Sequence, residues 1–231
     1  MGRLAVIGKH HTLGDPVGDA RTAGMEPFGL FDHGGYVTLY RHGVDAYVPP
    51  HRIDHAAHLR LLDHLGCDHI LALSSVGSLR RDWPVGTFVA PHDFVALDQT
   101  PVSLGDDERQ HVVPGFTVGW RDRVVAAWRD VAEEPIVDLG VYWQANGPRF
   151  ETPAEIRFIA AWADLIGMTV ASECVAANQR GLEYAAVCVV DNLANGLDDT
   201  PLTVEEFQRG AATTRARLAA ALARLIPELT R

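Results

Sequence analysis

Short apolar runs alternate along this chain with longer segments in which apolar residues recur at helical spacing. That pattern predicts strands and helices in turn. Leu4 to Ile7 is a buried-strand run ending at Gly8, followed by a polar loop rich in His and Gly. Tyr36 to Tyr40 alternates as a strand and runs into Arg41-His42-Gly43. Ile53 to Leu65 has helical spacing and stops at Gly66, a C-cap residue. His69 to Leu73 reads as a strand leading into a small-residue turn, Ser74-Ser75-Val76-Gly77-Ser78. Thr87 to Ala90 and Phe94 to Leu97 read as further strands, and residues 99–116 as a surface loop or lid. Val118 to Ala132 predicts a helix. Ile136 to Trp143 predicts a strand that enters Asn146-Gly147-Pro148-Arg149-Phe150. Thr152, Pro153 and Glu155 form a capping box that opens a helix. Glu173 to Arg180 predicts a helix, Ala185 to Val190 a strand ending at Asp191, and Thr203 to Leu225 a long amphipathic helix capped through Glu206. The polar clusters fall at strand C-terminal ends, where α/β sheets bind ligands. The expectation is one α/β domain over residues 1–231, with a site built from several loops.

Composition narrows the function classes. The 231 residues carry 30 acidic and 20 basic side chains, a net charge of −10. Such an acidic surface argues against nonspecific binding to nucleic acid or to an anionic membrane. A small anionic substrate is not excluded, because it needs only a local basic site. Lys9 is the sole lysine; the remaining nineteen basic residues are arginine. Cys67, Cys174 and Cys188 are scattered, with no CxxC, and read as reduced thiols. The first apolar run is too short for a signal-peptide core, and no stretch approaches the roughly 18 apolar residues of a membrane span. A cytoplasmic protein is expected.

The chemistry-bearing groups are individually ambiguous. Arg41 and His42 suit an oxyanion, Arg as a fork of donors and His as a switchable donor. The same triplet would also serve as a surface turn holding a structural ion pair. Ser74 and Ser75 offer hydroxyls and N–H groups that cradle anions in some turns and do nothing in most. Met168 and Thr169 join an apolar group to a hydroxyl; Met is more often plain core. Asp191, at the end of an apolar strand, is either an ion-paired structural group or a functional acid that neutralises a departing heterocycle. Phe150 beside Glu151 pairs an aromatic face with a carboxylate, as a flat base requires. His51, His55 and His58 follow helical spacing, but no carboxylate or cysteine completes a metal set, so no metal is expected. Nucleophile elbow, Walker, GxGxxG and HExxH motifs are absent from the sequence.

Taken in order, eight segments resemble the methylthioadenosine phosphorylase branch of the trimeric purine nucleoside phosphorylases. They are Arg41-His42-Gly43, Pro49 to Ile53, Leu65-Gly66-Cys67, Ser75 to Leu79, Gly86 to Pro91, Gly147 to Glu155, Gly167-Met168-Thr169 with Glu173, and Val189-Val190-Asp191. The resemblance implies a mixed central sheet flanked by helices. It implies cleavage or formation of the N-glycosidic bond of a purine nucleoside with phosphate, through an oxocarbenium-like transition state. It also implies a homotrimer, or a hexamer of such, and no cofactor beyond phosphate as co-substrate. By the same resemblance Arg41, His42, Ser74, Ser75, Thr169 and His10 hold phosphate, with His42 and Asp191 catalytic. Phe150, Glu151, Met168, Val76, Gly77, Asp191 and Asn192 bind the nucleoside. An aspartate at 191 points to adenine and hence to 5′-methylthioadenosine or another 5′-modified adenosine. A one-residue shift makes Asn192 the base reader, and Glu151 would then take the N1 proton of a 6-oxopurine. The sequence departs from the family at Gly8-Lys9-His10-His11, where Gly-Gly-Ser/Thr-Gly is usual, at Ala46, and at Asp54-His55-Ala56-Ala57-His58. Either Lys9 or His10 replaces the lost loop contacts with a cation, or phosphate affinity is lost. The loss would leave a nucleosidase or a noncatalytic nucleoside-binding relative.

Overall fold

The computed structural model describes residues 2–9, 13, 29–97, 108–198 and 202–231. His10, His11 and the first half of the expected loop at 99–116, residues 99–107, lie outside the described residues. Ten strands are described in one mixed sheet. Its main path runs β2 (Gly29–Asp32), β3 (Tyr36–Tyr40), β1 (Arg3–Gly8), β4 (Cys67–Ser78), β10 (Glu183–Leu193), β5 (Phe88–Val89), β7 (Ile136–Val137). The centre, β3-β1-β4-β10, is parallel. A second path branches from the end of β4 through β9 (Leu165–Gly167) to β8 (Val141–Gln144) and β6 (Asp93–Val95).

The central strands are apolar at nearly every position because both faces are covered. Ala5, Ile7, Ile70, Ala72, Ala186, Cys188 and Val190 belong to one core, packed under α1 (His55–His64) and α4 (Val170–Asn178). Leu4, Val6, Leu71, Leu73, Ala185, Val187 and Val189 belong to the other, packed under α2 (Val118–Val131) and α5 (Val204–Leu229). Helix α3 (Pro153–Ile159) starts at the expected capping box. Glu155 N–H donates to Thr152 Oγ1 at 3.2 Å, and Thr152 N–H donates to Glu155 Oε2 at 2.7 Å.

Several expected boundaries move. Ser74 to Ser78 is not a turn but the second half of β4. Serine and glycine carry little strand propensity, and pairing with β10 on one side and β9 on the other overrides it. The expected strand Ile136 to Trp143 divides into β7 and β8 around Gly140, whose φ of 139° only glycine adopts readily. Strands β2 and β9, of four and three residues, were too short to carry a period. Helix α4 begins at Val170 rather than Glu173.

Candidate active site

Parallel strands deliver their C-terminal ends to one cavity of about 920 Å³. Lys9 follows β1, Arg41 and His42 follow β3, Ser74 and Ser75 lie in β4, and Asn192 lies near the end of β10. The second branch adds Pro148, Phe150, Gly167, Met168 and Thr169. Helix α5 closes the wall with Val204, Phe207, Gln208, Ala211, Ala212 and Arg215. The structure thus gathers eight of the expected site residues: Arg41, His42, Ser74, Ser75, Phe150, Met168, Thr169 and Asn192. The contribution of α5 was missed because its apolar stripe reads as core on periodicity alone.

Arg41 is 2 % exposed and its fork points inward. Nε donates to Glu173 Oε1 at 2.5 Å and Nη2 to Glu173 Oε2 at 3.0 Å, while Nη1 donates to the Leu73 carbonyl at 2.7 Å. Tyr184 Oη also donates to Glu173 Oε2, at 2.9 Å. The carboxylate holds Arg41 firmly cationic against its burial. Glu173 stands in the first turn of α4, where the helix dipole favours a negative charge. The triplet therefore does serve as a structural ion pair, and Arg41 nevertheless borders the cavity.

His42 Nδ1 lies 2.8 Å from the Val48 carbonyl. A carbonyl only accepts, so Nδ1 carries the proton and Nε2 of a neutral ring is an acceptor. Burial, reinforced by Arg41 and Lys9, lowers its pKa to about 3 and overcomes the opposing hydrogen bond. His42 is thus a neutral group stacked on Tyr47, not a charge. His51 is exposed in a 3₁₀ turn, away from the buried His55 and His58 on α1, so the three histidines do not share a helical face. Among the described residues no group of three or more metal-ligating side chains converges.

Thr169 precedes α4, and three of the leading amides there are already used. Thr169 and Val170 N–H donate to Tyr142 Oη at 3.2 and 3.4 Å, and Ser172 N–H donates to Gln144 Oε1 at 3.0 Å. Tyr142 and Gln144 of β8 act as a cap supplied by the sheet, which no local motif announced.

Asp191 and Asn192 part company at a register shift in β10. Asp191 is 1 % exposed and does not line the cavity. Its carboxylate accepts from Ser75 Oγ and, at 2.6 Å, from Thr214 Oγ1. Burial raises its pKa against those hydrogen bonds and the charge of Lys9. Asn192 takes the wall position instead, with Nδ2 donating to the Leu193 carbonyl at 2.8 Å. Gly77 makes room for it: a Cβ there would stand 3.1 Å from Asn192 Nδ2. Val76, Gly77 and Glu151 lie outside the wall themselves. Burial raises the pKa of Glu151, and its backbone carbonyl accepts from Asn195 Nδ2 at 2.9 Å. Phe150 faces Phe207 of α5, centroids 6.2 Å apart. Met168 covers Gly147, where a Cβ would approach its Sδ to 2.5 Å.

The geometry can be set beside known proteins. The family profile described as the phosphorylase superfamily matches residues 9–227. A probable 6-oxopurine nucleoside phosphorylase of Archaeoglobus fulgidus is 39 % identical over 73 % of this chain and 69 % of its own. A probable S-methyl-5′-thioinosine phosphorylase of Methanocaldococcus jannaschii is 35 % identical over 74 % of this chain and 68 % of its own. Among solved structures, the methylthioadenosine phosphorylase of Schistosoma mansoni in complex with tubercidin superposes with a TM-score of 0.77. It is 24 % identical and covers 98 % of this chain and 91 % of its own, a likeness of fold. No helix among the described residues is long and apolar enough to cross a membrane.

Proposed function

We propose, from the premise that this chain belongs to the phosphorylase superfamily, that it is a purine nucleoside phosphorylase selecting a 6-oxopurine base. The reaction cleaves or forms the N-glycosidic bond of a purine nucleoside with phosphate. The observation that carries the base preference is the position of Asn192 on the cavity wall, with Asp191 withdrawn behind it. The N7/O6 edge of a 6-oxopurine presents two acceptors. An ionised carboxylate can only repel it, whereas a carboxamide donates at every pH. Phe150 supports the reading as a face for the purine, with Glu151 next in sequence to accept the N1 proton. Met168, Val204 and Phe207 give the cavity an apolar stretch suited to a 5′-methylthio group. Ser74, Thr169 and the remaining Nη1 proton of Arg41 are the donors toward phosphate, the Ser75 hydroxyl proton being directed at Asp191, and His42 Nε2 accepts from a protonated phosphate oxygen or a sugar hydroxyl. The outward charge of the departing base is stabilised by Asn192 rather than by Asp191.

A second reading rests on the same residue. Asparagine also pairs with the N6/N7 edge of adenine, which keeps 5′-methylthioadenosine a candidate. The homotrimer or hexamer, the cytoplasmic location and the need for phosphate without any other cofactor belong to the same proposal. The test is base release from inosine, methylthioinosine, adenosine and methylthioadenosine, with and without phosphate. Hypoxanthine release that requires phosphate and exceeds adenine release is expected. Equal release without phosphate would mean a nucleosidase. In Asn192→Asp the hypoxanthine/adenine ratio of kcat/KM should fall about 5- to 150-fold, the ~1–3 kcal/mol value of one good base contact; an unchanged ratio would remove Asn192 from base recognition.

A further inference from the structure

We infer that Ser75 reads a ring hydroxyl of the nucleoside sugar, as a hydrogen-bond acceptor, instead of the phosphate that the family resemblance implies. The inference rests on the phosphorylase reading for the identity of the ligand, and on geometry for the rest. Ser75 is half-buried in β4 and lines the cavity. Its Oγ donates to Asp191 Oδ2, and the other carboxylate oxygen accepts from Thr214 Oγ1 at 2.6 Å. Asp191 is held in place: it is 1 % exposed, and α5 lies so close that a Cβ on Gly210 would stand 1.7 Å from the Asp191 carbonyl oxygen. A serine hydroxyl has one proton and two lone pairs. With the proton spent on the carboxylate, only lone pairs remain for the cavity. Donation to a carboxylate also makes the oxygen a better acceptor. The ligand must therefore bring the proton. A fully ionised phosphate brings none, whereas a ribose ring hydroxyl always does.

The place of Ser75 along β4 points to the sugar as well. Alternate residues of a strand stand roughly 6–7 Å apart. Two residues before Ser75, the Leu73 carbonyl accepts from Arg41 Nη1 at 2.7 Å, at the end of the cavity proposed for the anion. Two residues after it, Gly77 lies against Asn192, where a Cβ would stand 3.1 Å from Nδ2, at the end proposed for the base. Displacement of the base by the anion needs the two on opposite sides of the anomeric carbon, with the reacting atoms aligned. The residue midway between the two readers therefore faces the sugar, and that residue is Ser75.

The experiment measures binding of inosine, 2′-deoxyinosine and 3′-deoxyinosine to wild type, Ser75→Ala, Ser75→Cys and Ser75→Thr by calorimetric titration. The adenosine series is run alongside, so that base preference does not decide the outcome. Each variant is first checked for a cooperative thermal transition. Sulfur is a weak acceptor but keeps a donor for Asp191, so Ser75→Cys stands in if the alanine variant does not fold. In wild type, removing the hydroxyl that Ser75 reads should raise Kd about 3- to 10-fold, the net value of one neutral hydrogen bond. In Ser75→Ala and Ser75→Cys the parent nucleoside should weaken by that factor, the deoxy nucleoside no further, and the phosphate KM should stay within about twofold. Ser75→Thr, which keeps the hydroxyl, should recover most of the loss. Additive losses for both deoxy nucleosides would overturn the assignment. So would a raised phosphate KM with nucleoside binding unchanged, since the acceptor would then face a protonated phosphate oxygen. Coupled losses in a protein that releases no base with phosphate would sink the phosphorylase reading and leave this one standing; phosphate-dependent release with additive losses would do the opposite.

Discussion

Replacing Glu173 with Gln removes a charge and almost no volume from the centre of the protein. Glu173 is fully buried, and its two oxygens accept from Arg41 Nε at 2.5 Å, Arg41 Nη2 at 3.0 Å and Tyr184 Oη at 2.9 Å. The amide keeps one acceptor and turns an N–H toward a donor. A guanidinium 2 % exposed is then left without its counter-ion. Breaking a buried pair by removing one partner costs about 3–5 kcal/mol. For a chain of this length that lowers Tm by roughly 6–20 °C. Urea unfolding followed by circular dichroism measures the free energy, and a thermal scan checks it. The double variant Arg41→Met with Glu173→Gln isolates the cause. It removes the stranded cation, while the amide carbonyl still accepts from Tyr184. It should recover more than half of the loss, although the Leu73 carbonyl forfeits a donor worth about 1 kcal/mol. A Glu173→Gln protein within about 1 kcal/mol of wild type would refute the electrostatic account. A double variant as unstable as the single one would show that the defect is packing rather than charge.

Acid should unfold the protein through its buried histidines. Burial lowers the pKa of His42 to about 3, of His55 to about 3 and of His58 to about 4. The unfolded chain titrates near 6.5 and so binds more protons than the native state between the two values. Stability is therefore complete above about pH 6.5 and falls as pH is lowered through that window. Roughly 1 kcal/mol should be lost per histidine between pH 6.5 and 5.5. Chemical denaturation across that range reads the slope, and His58→Gln should remove about a third of it; a flat profile would mean these histidines stay accessible to protons. Gly210→Ala should cost about 1–3 kcal/mol by overpacking, because a Cβ there would meet the Asp191 carbonyl oxygen at 1.7 Å. Unfolding at the wild-type midpoint would place α5 farther from β10 than described.

Legibility in the sequence followed the range of the forces involved. Buried strands are apolar on both faces, so β1, the first half of β4 and most of β10 were plain from local runs. Capping is equally local, and the box at Thr152 and Glu155 formed as expected. What failed was decided at longer range. Ser74 to Ser78 read as a turn because only pairing with β10 and β9, more than eighty residues away, makes it a strand. The pair Asp191 and Asn192 is the sharpest case. Both are polar, both end the same apolar run, and alternation predicts opposite faces without saying which face is the cavity. The register shift beside them settles it, together with Thr214 and Ser75, which offer hydroxyls to one carboxylate. A buried carboxylate needs such donors, and those two hydroxyls come from a helix and a strand that only the fold brings to residue 191. The same logic governs Arg41. Its neighbourhood in sequence advertises an anion site, but a guanidinium this deeply buried demands a counter-charge, and Glu173 meets that demand from 132 residues away. With Asp191 likewise committed to the interior, Asn192 is the member of the Asp191 and Asn192 pair left on the cavity wall. That is why the proposed base preference follows Asn192 rather than Asp191.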